Sequence, residues 1–261
     1  MMVWLQRLLL TLVVYVAVPI LVPMYSGHLR ENYQGNAIPM GLGLAFVLPT
    51  VIAITLTSSE MKDFIFGILI LFFALLGFVD DMLGYNHVQG FQGHFSTITS
   101  RRLSTGGFKA LAGGVIALAV SSRTVQGVIP ILISGFTIAL SANLVNLLDR
   151  RPGRAAKFFF LFALLLILVN RELQTSLLWL VVAVVGYVVW DLKGTVMMGD
   201  TGANPLGAGL GFAFVQTLSQ PLGLVLFAVL ILLNAVSERV SFSKIIESNR
   251  VLSFLDRLGR S

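Results

Sequence analysis

The sequence has no cysteine among its 261 residues, which excludes disulfide bonds and thiolate metal sites. Charged residues are also scarce, at 11% of the chain, whereas soluble domains contain roughly 25%. Hydrophobic residues make up 56%, and the mean hydropathy is +0.89. This balance excludes an ordinary soluble domain and predicts a polytopic α-helical membrane protein.

The few ionisable residues avoid the centres of the apolar segments. None occurs between Asp63 and Asp80, which disfavours a proton relay or an ion pathway through the helices. The formal net charge of +6 does not indicate nucleic-acid binding, because the basic residues lie in short loops between apolar segments. The chemistry is therefore expected at the ends of the spans.

A membrane-spanning helix needs about 20 mostly apolar residues. By this criterion the sequence predicts an all-α bundle of nine spans, at residues 4–24, 38–57, 62–79, 108–122, 127–148, 155–170, 175–191, 203–218 and 221–236. The first is interpreted as a retained span, because a small-residue cleavage site is missing. The fourth and eighth are short and glycine-rich, which is typical of close packing inside a bundle.

The basic residues predict the orientation. With the N-terminus outside, 14 of them fall on one face of the membrane and four on the other, so the C-terminus is predicted to be cytoplasmic. Residues 1–236 are predicted to form a transmembrane domain with its active site on the cytoplasmic face, and residues 237–261 a cytoplasmic amphipathic tail. Two interpretations of the tail are equally open: a helix on the inner leaflet, or a helix packed under the bundle.

The first acidic motif is Gly77–Asp81, at the cytoplasmic end of the third span. Adjacent carboxylates repel each other, and Asp80 and Asp81 persist together only where a cation or basic groups offset the repulsion. Carboxylates from several motifs on one membrane face indicate a hard cation such as Mg²⁺, which usually accompanies phosphate chemistry. The alternative is that these acids only end a span in the headgroup region.

A second motif places Asn143, Asn146 and Asp149 on one helical face, because they recur every three residues. This stripe favours a ligand-lined cavity, with hydrogen bonds between helices as the alternative. Four basic residues follow within eight positions, and they favour binding of a diphosphate, although the positive-inside bias alone explains two of them. They are Arg150, Arg151, Arg154 and Lys157.

A third motif, Met198–Gly202, is predicted to be a tight loop before the eighth span. Gly199 and Gly202 allow the backbone to approach a phosphate or metal, and Asp200 supplies a carboxylate.

The loop at residues 82–107 contains His87 and His94. Histidines seven positions apart in a loop have no preferred metal spacing, so solvent exposure or a lid is the favoured interpretation. His94 is kept as a candidate site residue.

Together these motifs resemble the superfamily of polyprenyl-phosphate N-acetylhexosamine-1-phosphate transferases (glycosyltransferase family 4), which includes phospho-N-acetylmuramoyl-pentapeptide transferases. The resemblance covers about residues 35–211. The segments that carry it look like the family's "K-x-x-P-x-x-G-G", "G-F-x-D-D", "x-K-L-L", "N-A-x-N-L-x-D" and "M-G-D-x-G", and they are, in order, Asn36–Gly43, Gly77–Asp81, Phe108–Leu111, Asn143–Asp149 and Met198–Gly202.

The resemblance implies transfer of a sugar-1-phosphate from a nucleotide sugar, most simply UDP-linked, to a polyprenyl phosphate at the bacterial inner membrane. It implies Mg²⁺, with Mn²⁺ as the alternative, and a homodimer by resemblance only. Asp80, Asp81 and Asp149 are the implied catalytic residues, and the implied metal ligands are Asp200 and Asp80. The implied substrate-binding residues are Lys109, Asn143, Asn146, Arg150, Arg151, Arg154, Gly199 and Gly202.

A strong general base is not required, because the second pKa of a phosphate monoester is about 6 and the lipid phosphate is largely dianionic at neutral pH. Whether Asp80 or Asp81 acts as a base stays open.

The sequence departs from the family pattern at four places. A second Asp after Asp149 is replaced by Arg150–Arg154, and Met197 replaces an aromatic residue. A histidine-rich loop is replaced by residues 237–241, and a tenth span is missing. These departures indicate a short, divergent member, and they concern the nucleotide and sugar more than the phosphoryl chemistry. The alternative function is a non-catalytic relative that acts as a scaffold in envelope synthesis; a small transporter is disfavoured.

Overall fold

The computed structural model describes residues 2–25, 27–83, 105–169 and 174–260. Within these ranges a two-stranded sheet and eleven α-helices form. The strands are β1 (Leu29–Glu31) and β2 (Ala37–Pro39). The helices are α1 (Met2–Leu21), α2 (Leu44–Thr57), α3 (Met61–Leu83), α4 (Thr105–Thr124), α5 (Val128–Leu148), α6 (Arg154–Val169), α7 (Gln174–Leu192), α8 (Gly199–Thr217), α9 (Gln220–Ser237), α10 (Phe242–Ser248) and α11 (Arg250–Arg257).

Helices α1 to α9 each overlap one predicted span, so the all-α membrane architecture is confirmed. By length and composition, four stretches of the described chain are sufficient to cross a membrane: Val3–Tyr25, Met61–Met82, Val128–Leu148 and Gln220–Ser237. Leu44–Thr57 and Ser176–Leu192 are shorter apolar helices. Nine crossings and a cytoplasmic C-terminus therefore stay predictions.

Three predicted boundaries differ from the structure. The second span was expected from residue 38, but Ala37–Pro39 forms a strand paired antiparallel with β1, with Leu29 opposite Pro39. The third span extends through Asp80 and Asp81 to Leu83. The predicted loop Met198–Gly202 is wrong, because Gly199 already begins α8. The apolar run underestimates α8, because it does not count Asp200, an acid that is favourable in the first turn at the positive end of the helix dipole.

Helix α8 lies at the centre of the fold and packs against α3 and α5. Its residues from Thr201 to Ala213 are all buried. A Cβ atom on Gly211 would lie 2.7 Å from the Cα of Ile138, and one on Gly207 would overlap the backbone of Ser141. Glycine therefore allows α8 and α5 to pack backbone to backbone, as predicted for the eighth span.

The glycines of the fourth predicted span do not have the same role. A Cβ atom on Gly113 would make an ordinary contact of 3.4 Å with the ring of Phe73, and one on Gly114 would meet nothing within 4 Å. The close-packing prediction therefore holds for α8 and not for α4.

Candidate active site

One basic side chain joins two acidic motifs at one end of the bundle. Asp80 lies near the end of α3, Lys109 near the start of α4 and Asp200 in the first turn of α8. The Lys109 Nζ donates to Asp80 Oδ2 at 3.0 Å and also to Asp200 Oδ2. All three side chains are 21–22% exposed, so the group is not sealed inside the bundle. Two carboxylates from different helices thus face one shared cation.

The neighbouring carboxylate of Asp81 caps α8 from outside that helix. Its Oδ1 accepts from the backbone N–H of Asp200 at 3.1 Å. Its Oδ2 accepts from the backbone N–H of Thr201 at 2.9 Å and from the Thr201 hydroxyl at 2.6 Å. The first N–H groups of a helix have no partner within it, and a negative charge there is favourable. Asp81 therefore fixes the start of α8, and with it the position of Asp200.

Glycines bring the motifs into backbone contact. A Cβ atom on Gly77 would overlap the carbonyl group of Asp200, and one on Gly43 would overlap the backbone of Gly202. Gly199 has φ of +64°, and a Cβ atom there would overlap the Asp81 carboxylate. The sequence was interpreted as giving the glycines of Met198–Gly202 room for a phosphate or metal. In the structure they give room to other parts of the chain.

The segment that follows the hairpin also lies beside α8. Met197 N–H donates to the Pro39 carbonyl at 2.8 Å, Leu42 N–H to the Met197 carbonyl at 3.2 Å, and Gly43 N–H to the Met198 carbonyl at 3.2 Å. In the sequence, only the family resemblance drew attention to Asn36–Gly43. Its place in the structure is to hold the residues just before Asp200.

Asp149 and Asp191 extend the group of carboxylates. Asp149 follows α5, and its N–H donates to the Asn146 carbonyl at 3.0 Å. Burial raises the pKa of Asp149 well above its ordinary value, the charges of Asp191, Asp200 and Asp81 raise it further, and Arg150 opposes them. We call Asp80, Asp81, Asp149, Asp191 and Asp200 the acidic cluster.

Sequence reasoning missed Asp191, which is buried near the end of α7. Its Oδ2 accepts from the backbone N–H of Gly153 at 2.8 Å, which ties the loop after Asp149 to α7. The signal that could have found it is the one that drew attention to Asp80: an acid at the end of an apolar helix.

The two asparagines of the second motif differ in their surroundings. Asn143 Nδ2 donates to Asn234 Oδ1 at 2.7 Å, and Asn234 Nδ2 in turn donates to the carbonyl of Leu230 at 2.8 Å. Asn143 therefore joins α5 to α9, which is the alternative that the sequence left open. Asn146 lies one turn closer to Asp149 and is half-buried.

The basic segment, Arg150–Lys157, lies against the tail of the same chain. Buried Arg154 donates from Nε and Nη2 to the two carboxylate oxygens of Asp256, at 2.8 and 2.9 Å. Arg151 pairs with Glu247 at 2.9 Å. Lys157 Nζ donates to the carbonyls of Leu255 and Asp256, at 3.1 and 2.6 Å. Arg150 is exposed beside Asp149. Three of the four predicted phosphate-binding side chains are thus engaged within the chain.

Asp80 and Asp200 are the predicted metal ligands. In the part of the chain that the structure describes, His, Asp and Glu side chains form no group of three that could hold a metal ion. Mg²⁺ sites commonly use only one or two protein carboxylates, and water and substrate phosphate complete the coordination. Asp80 and Asp200 already face one shared positive charge, and these two carboxylates are enough for the protein ligands of such a Mg²⁺ site. His87 and His94 lie outside the described residues.

The fold and this site define a multi-pass helical membrane protein with carboxylates gathered at one end of its bundle. Residues 64–219 match the model of a family described as Glycosyl transferase family 4. Because this match covers more than half of the chain, the protein belongs to that family, and the predicted resemblance is confirmed.

Three curated relatives carry the name phospho-N-acetylmuramoyl-pentapeptide-transferase. The protein of Nautilia profundicola is 25% identical, across 82% of this chain and 70% of the relative. That of Wolbachia pipientis wMel is 29% identical, across 69% and 60%. That of the Wolbachia strain wRi from Drosophila simulans is 29% identical, across 75% and 63%. The chain thus spans about two thirds of the length of these relatives.

Proposed function

We propose that this protein transfers a sugar-1-phosphate from a nucleotide sugar, with UDP-N-acetylhexosamine as the proposed donor, to a polyprenyl phosphate. The products are a lipid-linked diphosphate sugar for envelope glycopolymer synthesis and a nucleoside monophosphate. The proposed location is the cytoplasmic face of a bacterial inner membrane. One observation supports this most: Asp80 and Asp200 share the Lys109 ammonium beside Asp81, in a chain of this family.

The reaction needs positioning and charge neutralisation more than covalent catalysis by the protein. An oxygen of the lipid phosphate forms a bond to the phosphorus attached to the sugar. The bond from that phosphorus to the nucleoside monophosphate breaks, and the leaving phosphate keeps the electron pair. A dianionic lipid phosphate has no proton to lose. A protein base is therefore not required, and the carboxylates are free for other roles.

Lys109, Asp80 and Asp200 form the proposed phosphate end of the site. The Lys109 ammonium has three N–H donors, so it can exchange a carboxylate for a phosphate oxygen while it keeps its position. Asp80 and Asp200 would hold Mg²⁺, or Mn²⁺, through carboxylate oxygens. A bound divalent ion would neutralise the phosphates and orient them for in-line displacement.

Asp81 and Asp149 have different proposed roles. Both oxygens of Asp81 accept hydrogen bonds from α8, so Asp81 acts through the position of Asp200. Asp149, beside the exposed Arg150, is the proposed contact to the nucleotide sugar, together with Asn146. Gly199 acts by leaving room for the Asp81 carboxylate, and Gly202 by allowing close contact with the backbone of Gly43. Asn143, Arg151 and Arg154 bond within the chain and are assigned to the framework of the site.

The proposal is tested with purified protein in liposomes that contain polyprenyl phosphate, with Mg²⁺ and a panel of nucleotide sugars. We expect one donor class to release nucleoside monophosphate in equal amount to new lipid-linked sugar. Release should require both the lipid phosphate and the divalent ion, and chelation should stop it. If folded protein releases nothing from any donor, the non-catalytic alternative replaces this proposal.

A further inference from the structure

Helix α11 has its polar side turned inward and its apolar side turned outward. Asp256 is buried. Val251, Phe254, Leu255 and Leu258 are exposed by 67%, 63%, 50% and 56%. Their spacing of three, one and three residues puts them on one side of the helix, here called the apolar face of α11. A surface helix of a soluble domain has the opposite arrangement, with its apolar stripe towards the core.

Ion pairs on the inner side of α11 fix this orientation. Arg154 binds both oxygens of Asp256, and Arg260 approaches Asp256 Oδ1 at 3.1 Å. Lys157 donates to two backbone carbonyls of the same turn. A bidentate pair between Arg and a carboxylate is specific in geometry as well as strong. Turning the apolar face inward would break all of these bonds and bury charges without partners. The contacts of α11 with the bundle therefore require its apolar face to be exposed.

The position of α11 in the chain places the apolar face near lipid. The hydrogen bond between Asn143 and Asn234 joins the C-terminal ends of α5 and α9, so α9 ends on the side of the acidic cluster. Gln220–Ser237 is long and apolar enough to cross a membrane. Only residues 238–241 separate it from α10, and a linker of this length reaches roughly 18 Å at most. The tail therefore stays close to the membrane surface at which α9 ends.

The charges exposed on the tail complement anionic headgroups. Four basic residues of the tail are exposed: Arg239, Lys244, Arg250 and Arg257. Of the acids in the tail, Asp256 is directed inward to Arg154 and the exposed Glu247 pairs with Arg151, while Glu238 is exposed. Bases beside an apolar helical face are the arrangement of interfacial helices, and each base near an anionic surface strengthens the attraction to it. A helix of eight residues is about 12 Å long, too short to cross the bilayer.

We infer that the apolar face of α11 inserts into the lipid leaflet on the side of the acidic cluster, with the basic residues of the tail at anionic headgroups. The helix lies in the plane of the interface, and its inner side holds Arg154 at the start of α6. Lipid therefore braces the segment that directly follows Asp149. The sequence left two interpretations of the tail open, and this inference combines them. Helix α11 contacts the leaflet on one side and the bundle on the other.

The absence of cysteine makes the test direct, because each single-cysteine variant carries one label. Nitroxides are placed at Phe254→Cys and Leu258→Cys on the apolar face, and at Arg250→Cys and Arg257→Cys as matched controls on the same helix. The protein is reconstituted in liposomes with anionic phospholipid. Power-saturation measurements then compare collision with lipid-soluble oxygen and with a water-soluble nickel complex.

We expect labels at 254 and 258 to be accessible to oxygen and at least fivefold less accessible to nickel than labels at 250 and 257. Equal nickel access at all four positions would overturn the inference. Protection of 254 and 258 from both reagents would also overturn it, because protein and not lipid would then cover the face. Omitting the anionic lipid should raise nickel access at 254. The readout needs no transferase activity, so its result is independent of the proposed function.

Discussion

The acidic cluster and the basic segment lie at the same end of the bundle, yet their charges are matched in different ways. In the acidic cluster, Lys109 serves both Asp80 and Asp200, and Asp149 lies near further carboxylates that raise its pKa. In the basic segment, Arg154 has an acid of its own in Asp256. Among the described residues, two carboxylates of the first region share one ammonium, whereas three of the four bases of the second region bond to acceptors within the chain.

On this difference we base the proposed assignment of the first region to the site and of the second to the framework around it. Carboxylates that lie close together repel each other, and a cation from solution would relieve that repulsion. Bases that already bind carboxylates and carbonyls have little to offer a diphosphate. A run of charges in a sequence therefore predicts a ligand only when its partners within the chain are known.

The largest expected effect comes from removing one charge in each region by the same substitution. Asp200→Asn keeps the size of the side chain and removes a carboxylate that faces Lys109, so transfer of labelled sugar phosphate to lipid should fall about 100-fold or more. Asp256→Asn, which removes the carboxylate paired with Arg154 of the basic segment, is the matched control, and it should retain transfer within about fivefold. Equal losses in both variants would contradict the assignment of the two regions.

The next effect concerns the packing that brings the motifs together. Gly77→Ala places a methyl group against the Asp200 carbonyl, so α3 and α8 must separate. We expect a loss of about 1–3 kcal/mol in the free energy of unfolding, with a parallel loss of transfer.

Gly114→Ala is the control for that substitution, because a methyl group there meets nothing within 4 Å. It should leave stability unchanged or raise it by about 0.5–1 kcal/mol, since alanine favours a helix over glycine. Thermal unfolding of both variants in detergent, followed by fluorescence, checks the pair. A Gly77→Ala variant as stable as wild type would show that α3 and α8 pack less closely than they do in the structure.

Much of the helix layout was predictable, because a span is a local property of 20 residues. The acidic cluster was predictable in part: Asp80, Asp81, Asp149 and Asp200 each end or begin an apolar segment. Local sequence patterns do not predict which distant residue a side chain contacts. The cap of α8 by Asp81 joins residues 119 and 120 positions apart, and the pair Arg154–Asp256 spans 102. The basic segment was therefore interpreted as a phosphate site.

A smaller effect is expected at Asp191, which holds the loop after Asp149. Asp191→Ala removes the acceptor for the Gly153 N–H and leaves that group buried without a partner. A buried unsatisfied group costs about 1–3 kcal/mol, so we expect kcat/KM for the nucleotide sugar to fall about tenfold. Asp191→Asn keeps an oxygen acceptor and should recover most of the loss. If Asn is as impaired as Ala, the charge of Asp191 matters and a purely positioning role is ruled out.

The smallest effect is the acid sensitivity of the tail. Burial favours a raised pKa for Asp256, but hydrogen bonds and positive charges from Arg154 and Arg260 bring its pKa below the usual value, and Lys157 faces the same turn. Because the pKa is lower in the folded state, ionised Asp256 stabilises tail docking above its unfolded pKa. That stabilisation is lost as the pH falls through the folded pKa, which lies below the ordinary value of this carboxyl. A nitroxide at Leu258→Cys should keep constant mobility from pH 8 to 5 and become more mobile below about pH 4.

In a background with Asp256→Asn, the mobility of this nitroxide should be higher at neutral pH and nearly independent of acid. A transition near pH 6 in the parent would contradict this assignment.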